Sequence, residues 1–217
     1  RELTLTDALA CIDEASRDPH VKGLVLKLFP SGAGVAKCEE ITSAVERFRK
    51  SKKPVIAFSP VLEGHHYLIA SAADSIFMPP AGYVVIPGPS SSAVFIRGAL
   101  DKLGVKPEFG QRYEFKNAMN QYTETKFTDA HREATKTLLA SIYAQMVRGI
   151  AEGRKMTEAD VRALVDRGPF LGPEALEAKL VDGLGYRDEV HARLLKKAGV
   201  GARLFGLTPY LKKEGRP

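Results

Sequence analysis

KPVIAFSPVLEGHHYLIASAADSIFMPPAGYVVI, residues 53–86, is the stretch whose reading decides the fold. PVIAF (54–58) is a short apolar run between two prolines and reads as a strand. A loop leads from it into GHHYLIASAA (64–73), a helix whose small residues require something packed closely against it. SIFM (75–78) and YVVI (83–86) are two further short strands around a Pro-Pro-Ala-Gly turn.

Working outward, GLVLKLF (23–29) is another apolar strand, broken by PSGAG (30–34). Before it, Thr4 to Ser16 carries Leu5, Leu9 and Ile12 on one helical face, with Thr4 or Thr6 available as a cap. KCEEITSAVERFRK (37–50) is a helix with Ile41, Ala44, Val45 and Phe48 in phase. VFIRGALDKLG (94–104) is another, stopped by its glycine. Strands alternating with helices of this length predict a parallel α/β layer structure.

The last third changes character. Thr128 to Gly153 is one long helix with Leu138, Ile142 and Met146 in register, and two shorter helices are expected around PFLGPEALEAKLVDGLG (169–185). The expected organisation is an α/β core over residues 1–127 and a helical extension of the same domain over residues 128–217.

A chain of 217 residues, 44% hydrophobic and 27% charged, has the composition of a globular protein that buries a core without staples. Its net charge of +6 does not indicate nucleic acid, because acidic residues interleave with the basic ones along the helices. The basic runs RKSKK (49–53) and LKKEG (211–215) are short. Cys11 and Cys38 sit in amphipathic helical stretches, where cysteine behaves as a small buried hydrophobe. No run approaches the ~18 apolar residues of a membrane span. The opening at Arg1 directly into a helix and the closing KKEGRP read as the ends of a piece of a longer polypeptide.

Several residues invite a chemical reading. His65 and His66 are adjacent, so on a helix they point about 100° apart and do not chelate one ion. His20, His131 and His191 lie in unrelated contexts. Ser90, Ser91 and Ser92 follow a Pro-Gly-Pro turn, where serines usually satisfy backbone groups. A Ser-His-Asp triad through His65 or His66 stays open, although no Gly-x-Ser-x-Gly elbow, phosphate loop or dinucleotide fingerprint is present. No metal and no cofactor is expected.

The order of these words resembles the signal peptide peptidase A family over nearly the whole chain. VKGLVLKLFPSGAG is similar to that family's strand and glycine loop, and KPVIAF with GHHYLIASAADSIFMPPAG to its next strand, helix and turn. YEFKNAMNQY resembles its Tyr-Lys-Ser-Ala segment, and MTEADVRALVDRGPFLGPEALEAKLVDGLG its helical tail. The resemblance implies a ClpP/crotonase-like fold, α/β with a mainly parallel sheet and a helical C-terminal part. It also places the family's general base on Lys116.

Two departures matter. Active domains of that family carry Ser-Gly-Gly-Tyr where this chain has Gly64-His65-His66-Tyr67, so Gly64 holds the nucleophile's position, with Glu63 before it. PSGAG also lacks the paired glycines of the family's loop. The pattern is that of the N-terminal half of a double-length member, which keeps the lysine while the C-terminal half keeps the serine. The resemblance therefore implies a Ser/Lys-dyad peptidase acting on signal peptides and other apolar peptides. It further implies membrane association, with this domain extracytoplasmic (periplasmic) in a bacterium, and a homo-oligomer with no nucleic-acid partner.

An ordinary lysine titrates near ~10.4 and is charged at neutral pH. Apolar cover or a helix N-terminus lowers that value toward ~7–8, where the amine accepts a serine's proton. Phe115, Ala118 and Met119 flank Lys116 and would cover it once a partner half docks, while Glu114 opposes the effect. Two other readings are a non-catalytic scaffold half and a crotonase-type acyl-CoA enzyme using Glu63.

Overall fold

The structure, a computed structural model, describes residues 4–213. Arg1 and residues 214–217, to which part of the expectation about the chain's ends attaches, lie outside them. The elements run α1 Leu5–Arg17, β1 Leu24–Lys27, α2 Val35–Arg49, β2 Val55–Phe58, β3 Val61–Glu63, α3 Gly64–Ser71, β4 Ser75–Met78 and β5 Tyr83–Val85. After these come α4 Arg97–Lys102, α5 Asn120–Thr123, α6 Asp129–Arg154, α7 Glu158–Arg167, β6 Phe170–Leu171, α8 Gly172–Glu177, β7 Gly183–Leu184, α9 Arg187–Ala198 and α10 Leu207–Lys213.

Two compact units divide the chain. The first comprises residues 1–87 and 146–217, the second residues 88–145, so the expected boundary at 127/128 falls inside the second unit. In the first unit, β1, β2, β4 and β7 form a four-stranded sheet in that order with every pairing parallel. A second sheet is ordered β3-β5-β6, with β3 and β5 parallel and β6 antiparallel to β5. The fold is α/β with a mainly parallel sheet, as the residue pattern implies.

The tail is mainly helical, as expected, and its short apolar words also finish the sheets. Phe170 pairs with Val84, and Gly183 and Leu184 extend the parallel sheet beside Phe77 and Met78. All four residues of β2 are buried, and Ile56 and Phe58 pack with Val190 and Leu194 of α9. Thr4, rather than Thr6, caps α1 in a reciprocal box with Asp7. Cys11 and Cys38 are both buried. On α6, Met146 is buried but Leu138 is 61% exposed, so the predicted register holds only at the C-terminal end of that helix.

One device recurs along the parallel sheet. Asp74, just before β4, accepts the Val55 N–H at 2.8 Å and the Arg49 Nε–H at 2.8 Å. Asp182, just before β7, accepts the Ile76 N–H at 2.7 Å and both arms of Arg154 at 2.9 Å. Each carboxylate ties a strand to its neighbour and to a helix. Arg154 also donates to the Lys179 carbonyl at 2.7 Å. Burial is the largest influence and works against its charge, but the hydrogen bond to Asp182 and the charges of Tyr67 and Asp182 together raise its pKa.

Helix α3 packs against α6 through two glycines. A Cβ at Gly149 would stand 2.5 Å from Leu68 Cδ1, and one at Gly153 would collide with the carbonyl of Ser71. Leu68 ends in a flexible side chain, whereas the Ser71 carbonyl is backbone. Gly153→Ala is therefore expected to lower unfolding stability by about 1–3 kcal/mol, as overpacked cores do. Gly149→Ala should cost less, and paired denaturant melts measure both.

Candidate active site

β3 runs directly into α3, making a sharp strand–turn–helix corner. Glu63 is both the last residue of β3 and the N-cap of α3, and Gly64 follows it at φ +46°. The corner needs a left-handed residue, which glycine supplies without the usual Cβ strain. A Cβ at Gly64 would meet only Pro87, at 3.8 and 3.9 Å, so space for a side chain exists there.

Glu63 does not cap the helix. Its carboxylate accepts a hydrogen bond from Tyr83 Oη at 2.9 Å, and that contact, more than burial, raises the Tyr83 pKa. The first-turn N–H groups of α3 are thus left without a side-chain acceptor, and the partial positive charge of the helix end stays available. Further along the helix, buried Tyr67 donates to the Leu180 carbonyl at 2.7 Å, and burial pushes its hydroxyl far above the ordinary range. This bond anchors the corner to the segment leading into β7.

Lys116 lies in the second unit, on an irregular segment before α5, and is exposed. Its N–H donates to the Tyr113 carbonyl at 3.2 Å, across a turn in which Tyr113 holds φ 67°. Its carbonyl accepts from Gln111 Nε2 at 3.0 Å. Two bonds thus fix its backbone while its side chain faces solvent beside Phe115, itself 51% exposed. Met119 is partly buried and Ala118 exposed, so the neighbours expected to cover the lysine do not bury it within this chain. The lysine whose charge burial does disfavour is Lys53, but its ammonium donates to the Ala15 and Asp18 carbonyls at the end of α1, a capping role.

The second unit holds little apolar interior. Between residues 88 and 145 the one fully buried residue is Asn120, whose Nδ2 donates to Thr128 Oγ1 at 3.2 Å. Phe95, Phe127 and His131 stack edge-on, with Phe95 and Phe127 centroids 5.2 Å apart. Val94, Leu103, Val105, Phe109, Tyr113 and Phe115 are exposed.

The other candidates part company. Ser90, Ser91 and Ser92 are exposed and unstructured. His65 Nδ1 is buried without a partner, as are His131 Nδ1 and His191 Nε2. Burial, then Lys27 and Arg187, lowers the His191 pKa, whereas His20 sits on the surface against Asp18 at 3.0 Å. His66 Nε2 meets Ser31 Oγ at 2.9 Å, a pairing sequence reasoning did not single out. Ser31 is 35 residues away in a different loop, and no local word links the two.

A mainly parallel α/β unit with a sharp strand–turn–helix corner has the architecture of ClpP-like serine peptidases. Residues 47–201 match peptidase family S49, and the chain belongs to that family. It is 27% identical over 187 residues to "Serine protease SPPA, chloroplastic" of Arabidopsis thaliana, covering 86% of this chain and 28% of that protein. It is 27% identical to Protease 4 of Salmonella typhi, over 92% of this chain and 34% of that protein. It is 29% identical to Protease 4 of Haemophilus influenzae, over 72% of this chain and 26% of that protein. The chain thus spans about a third or less of each of these relatives. Membership makes this a domain of the serine-peptidase type, and the resemblance to signal peptide peptidase A stands.

Gly64→Ser tests the corner. Space for the side chain is present and only the left-handed φ is unfavourable. The variant is expected to fold with a stability loss of about 1–2 kcal/mol, measurable by chemical denaturation. A loss well beyond that would mean the corner has no room for a nucleophile.

Proposed function

We propose that this chain is the base-bearing half of a Ser/Lys-dyad serine peptidase, with Lys116 as general base for a serine supplied by a second half of the same polypeptide. The observation that carries this reading is Gly64: the corner keeps the left-handed φ and the room a nucleophile needs, but has no side chain. The hydroxyl must then come from elsewhere, while the lysine of the family's segment is retained.

The scarcity of buried residues between 88 and 145 supports the partner. A segment that leaves Phe109, Tyr113 and Phe115 exposed in the stretch before Lys116 gains stability when another surface covers it. The same cover would desolvate the ammonium, favouring the neutral amine that can take a serine's proton. In the reaction, Lys116 Nζ removes the hydroxyl proton as the serine oxygen attacks the scissile carbonyl. It then returns that proton to the leaving amine. Substrates on this reading are apolar peptides, such as spent signal peptides, bound in an extended conformation. The parent protein would be a membrane-associated oligomer with this domain on the extracytoplasmic side. Among the described residues no helix is long and apolar enough to cross a membrane, so an anchor, on this reading, belongs to another segment.

The test is a set of variants in the full-length protein. Lys116→Ala should lower peptide cleavage by at least about 10²-fold, with Lys116→Arg nearly as damaging because a guanidinium stays protonated. Alanine at exposed Lys106 or Lys126 should change little. The wild-type pH–rate profile should rise as the base deprotonates, and the alanine variant should lack that limb. If Lys116→Ala keeps more than about a tenth of the activity, the lysine is structural and the scaffold reading replaces this one.

Assembly gives an independent measurement. The full-length protein is expected to sediment as a closed oligomer, and a clean monomer at high concentration would contradict the proposed assembly.

A further inference from the structure

The Ser31–His66 pair belongs to none of this chemistry. Ser31 is exposed in the loop after β1, three residues before Gly34, the N-cap of α2. His66 is the third residue of α3, in the first turn after the Gly64 corner. Their side chains meet Oγ to Nε2 at 2.9 Å, within the reach of a nucleophile and its base. Local contacts surround the pair. Ala33 N–H points back at Ser31 Oγ at 3.4 Å, and α3 is held by Tyr67 and the two glycines of α6.

The flanking helix ends supply the remaining element. Neither α2 nor α3 has a side-chain acceptor at its N-terminus: Gly34 has none to offer, and the Glu63 carboxylate is engaged by Tyr83 Oη. Ser31 precedes the α2 end by a few residues and His66 lies in the first turn of α3, and an uncapped helix N-terminus carries the kind of charge that favours a developing oxyanion.

We infer that Ser31 and His66 form a second, self-contained acyl-transfer site that takes small activated carboxylic esters. With His66 as the Nδ1–H tautomer, Ser31 Oγ attacks the ester carbonyl carbon and its proton passes to His66 Nε2. The carbonyl oxygen carries the negative charge until the bond to the leaving oxygen breaks. His66 then delivers the proton to that oxygen, releasing the alcohol and leaving acyl-Ser31. Water attacks the acyl carbon, His66 takes its proton, and the serine oxygen leaves and recovers it, freeing the carboxylic acid. Loss of the orienting carboxylate costs a serine triad on the order of 10⁴-fold. Among the described residues His66 bonds Ser31 and no carboxylate, so the pair suits activated esters rather than peptide bonds.

The experiment treats the full-length protein with a fluorophosphonate probe and with p-nitrophenyl acetate, and locates adducts by peptide mass spectrometry. An adduct on Ser31 is expected, with acetate released at a rate that Ser31→Ala reduces to background. His66→Gln keeps a hydrogen-bonding side chain but removes the base, and should slow Ser31 labelling at least about tenfold with the melting temperature unchanged. No adduct on Ser31, or labelling indifferent to His66→Gln, overturns the inference. Because adducts are mapped by residue, a serine labelled in any other segment does not count. Lys116→Ala should abolish peptide cleavage without touching Ser31 labelling, so this site and the dyad reading fail separately.

Discussion

The close approach of α3 to α6 is the constraint on which the rest of the structure depends. It exists because Gly149 and Gly153 offer no side chains where Leu68 and the Ser71 carbonyl arrive. One residue beyond Gly153, Arg154 can then reach the Lys179 carbonyl and Asp182, and Asp182 in turn holds the Ile76 N–H. The Arg154 side chain is only 7% exposed, so losing Asp182 would be costly: the guanidinium left alone would be a poorly solvated charge. Tyr67 completes the arrangement by bonding the Leu180 carbonyl from the helix itself. Through these contacts a helix of eight residues, too short to persist by its own hydrogen bonds, is fixed at the Gly64 corner.

The two units stand in contrast, and the contrast has a physical reading. The first has a fully buried central strand and a continuous apolar interior. The second orders residues 88–145 around one buried asparagine and an aromatic stack. Ordering each residue costs roughly 1–2 kcal/mol in backbone entropy alone, and apolar burial is the main term that offsets it. Within its own unit, residues 88–145 have little burial to offset that cost. The segment that carries Lys116 is the one with this deficit.

Much of the fold was legible from periodicity and punctuation. β2, β4 and β5 are apolar runs closed by proline, glycine or aspartate, and α2 buries Ala44, Val45 and Phe48 as their spacing predicts. The small residues of α3 announced a close neighbour, though not that the neighbour would be glycines on α6. What escaped is what depends on tertiary pairing. β3, β6 and β7 have two or three residues each and no alternation to detect, and they become strands because β5 and β4 are there to bond. Leu138 fits the helical stripe yet faces solvent, because a stripe marks the face that can be buried without saying whether this chain buries it. The family's words direct attention to Lys116 and Gly64. They could not reveal Ser31 against His66, which joins a loop and a helix brought together only by the sheet.

The Gly64 corner, on the proposed reading, has the shape of a nucleophile's site without the nucleophile. A left-handed φ at the start of α3 is strained for serine and relaxed for glycine, so where no hydroxyl is required, glycine is the more stable occupant. The geometry then survives for reasons unrelated to catalysis: parallel pairing of Val61, Leu62 and Glu63 with β5, the Tyr83 contact, and the packing of α3. The uncapped N–H groups of α3 persist with it, because Glu63 has turned to Tyr83 and no other residue of that turn supplies a cap. On the proposed reading, the sparsely buried segment that carries Lys116 and the Gly64 corner are retained under different physical pressures. The corner is held by packing within its own unit, whereas Lys116 gains its apolar cover only if another surface closes over the aromatic side chains beside it.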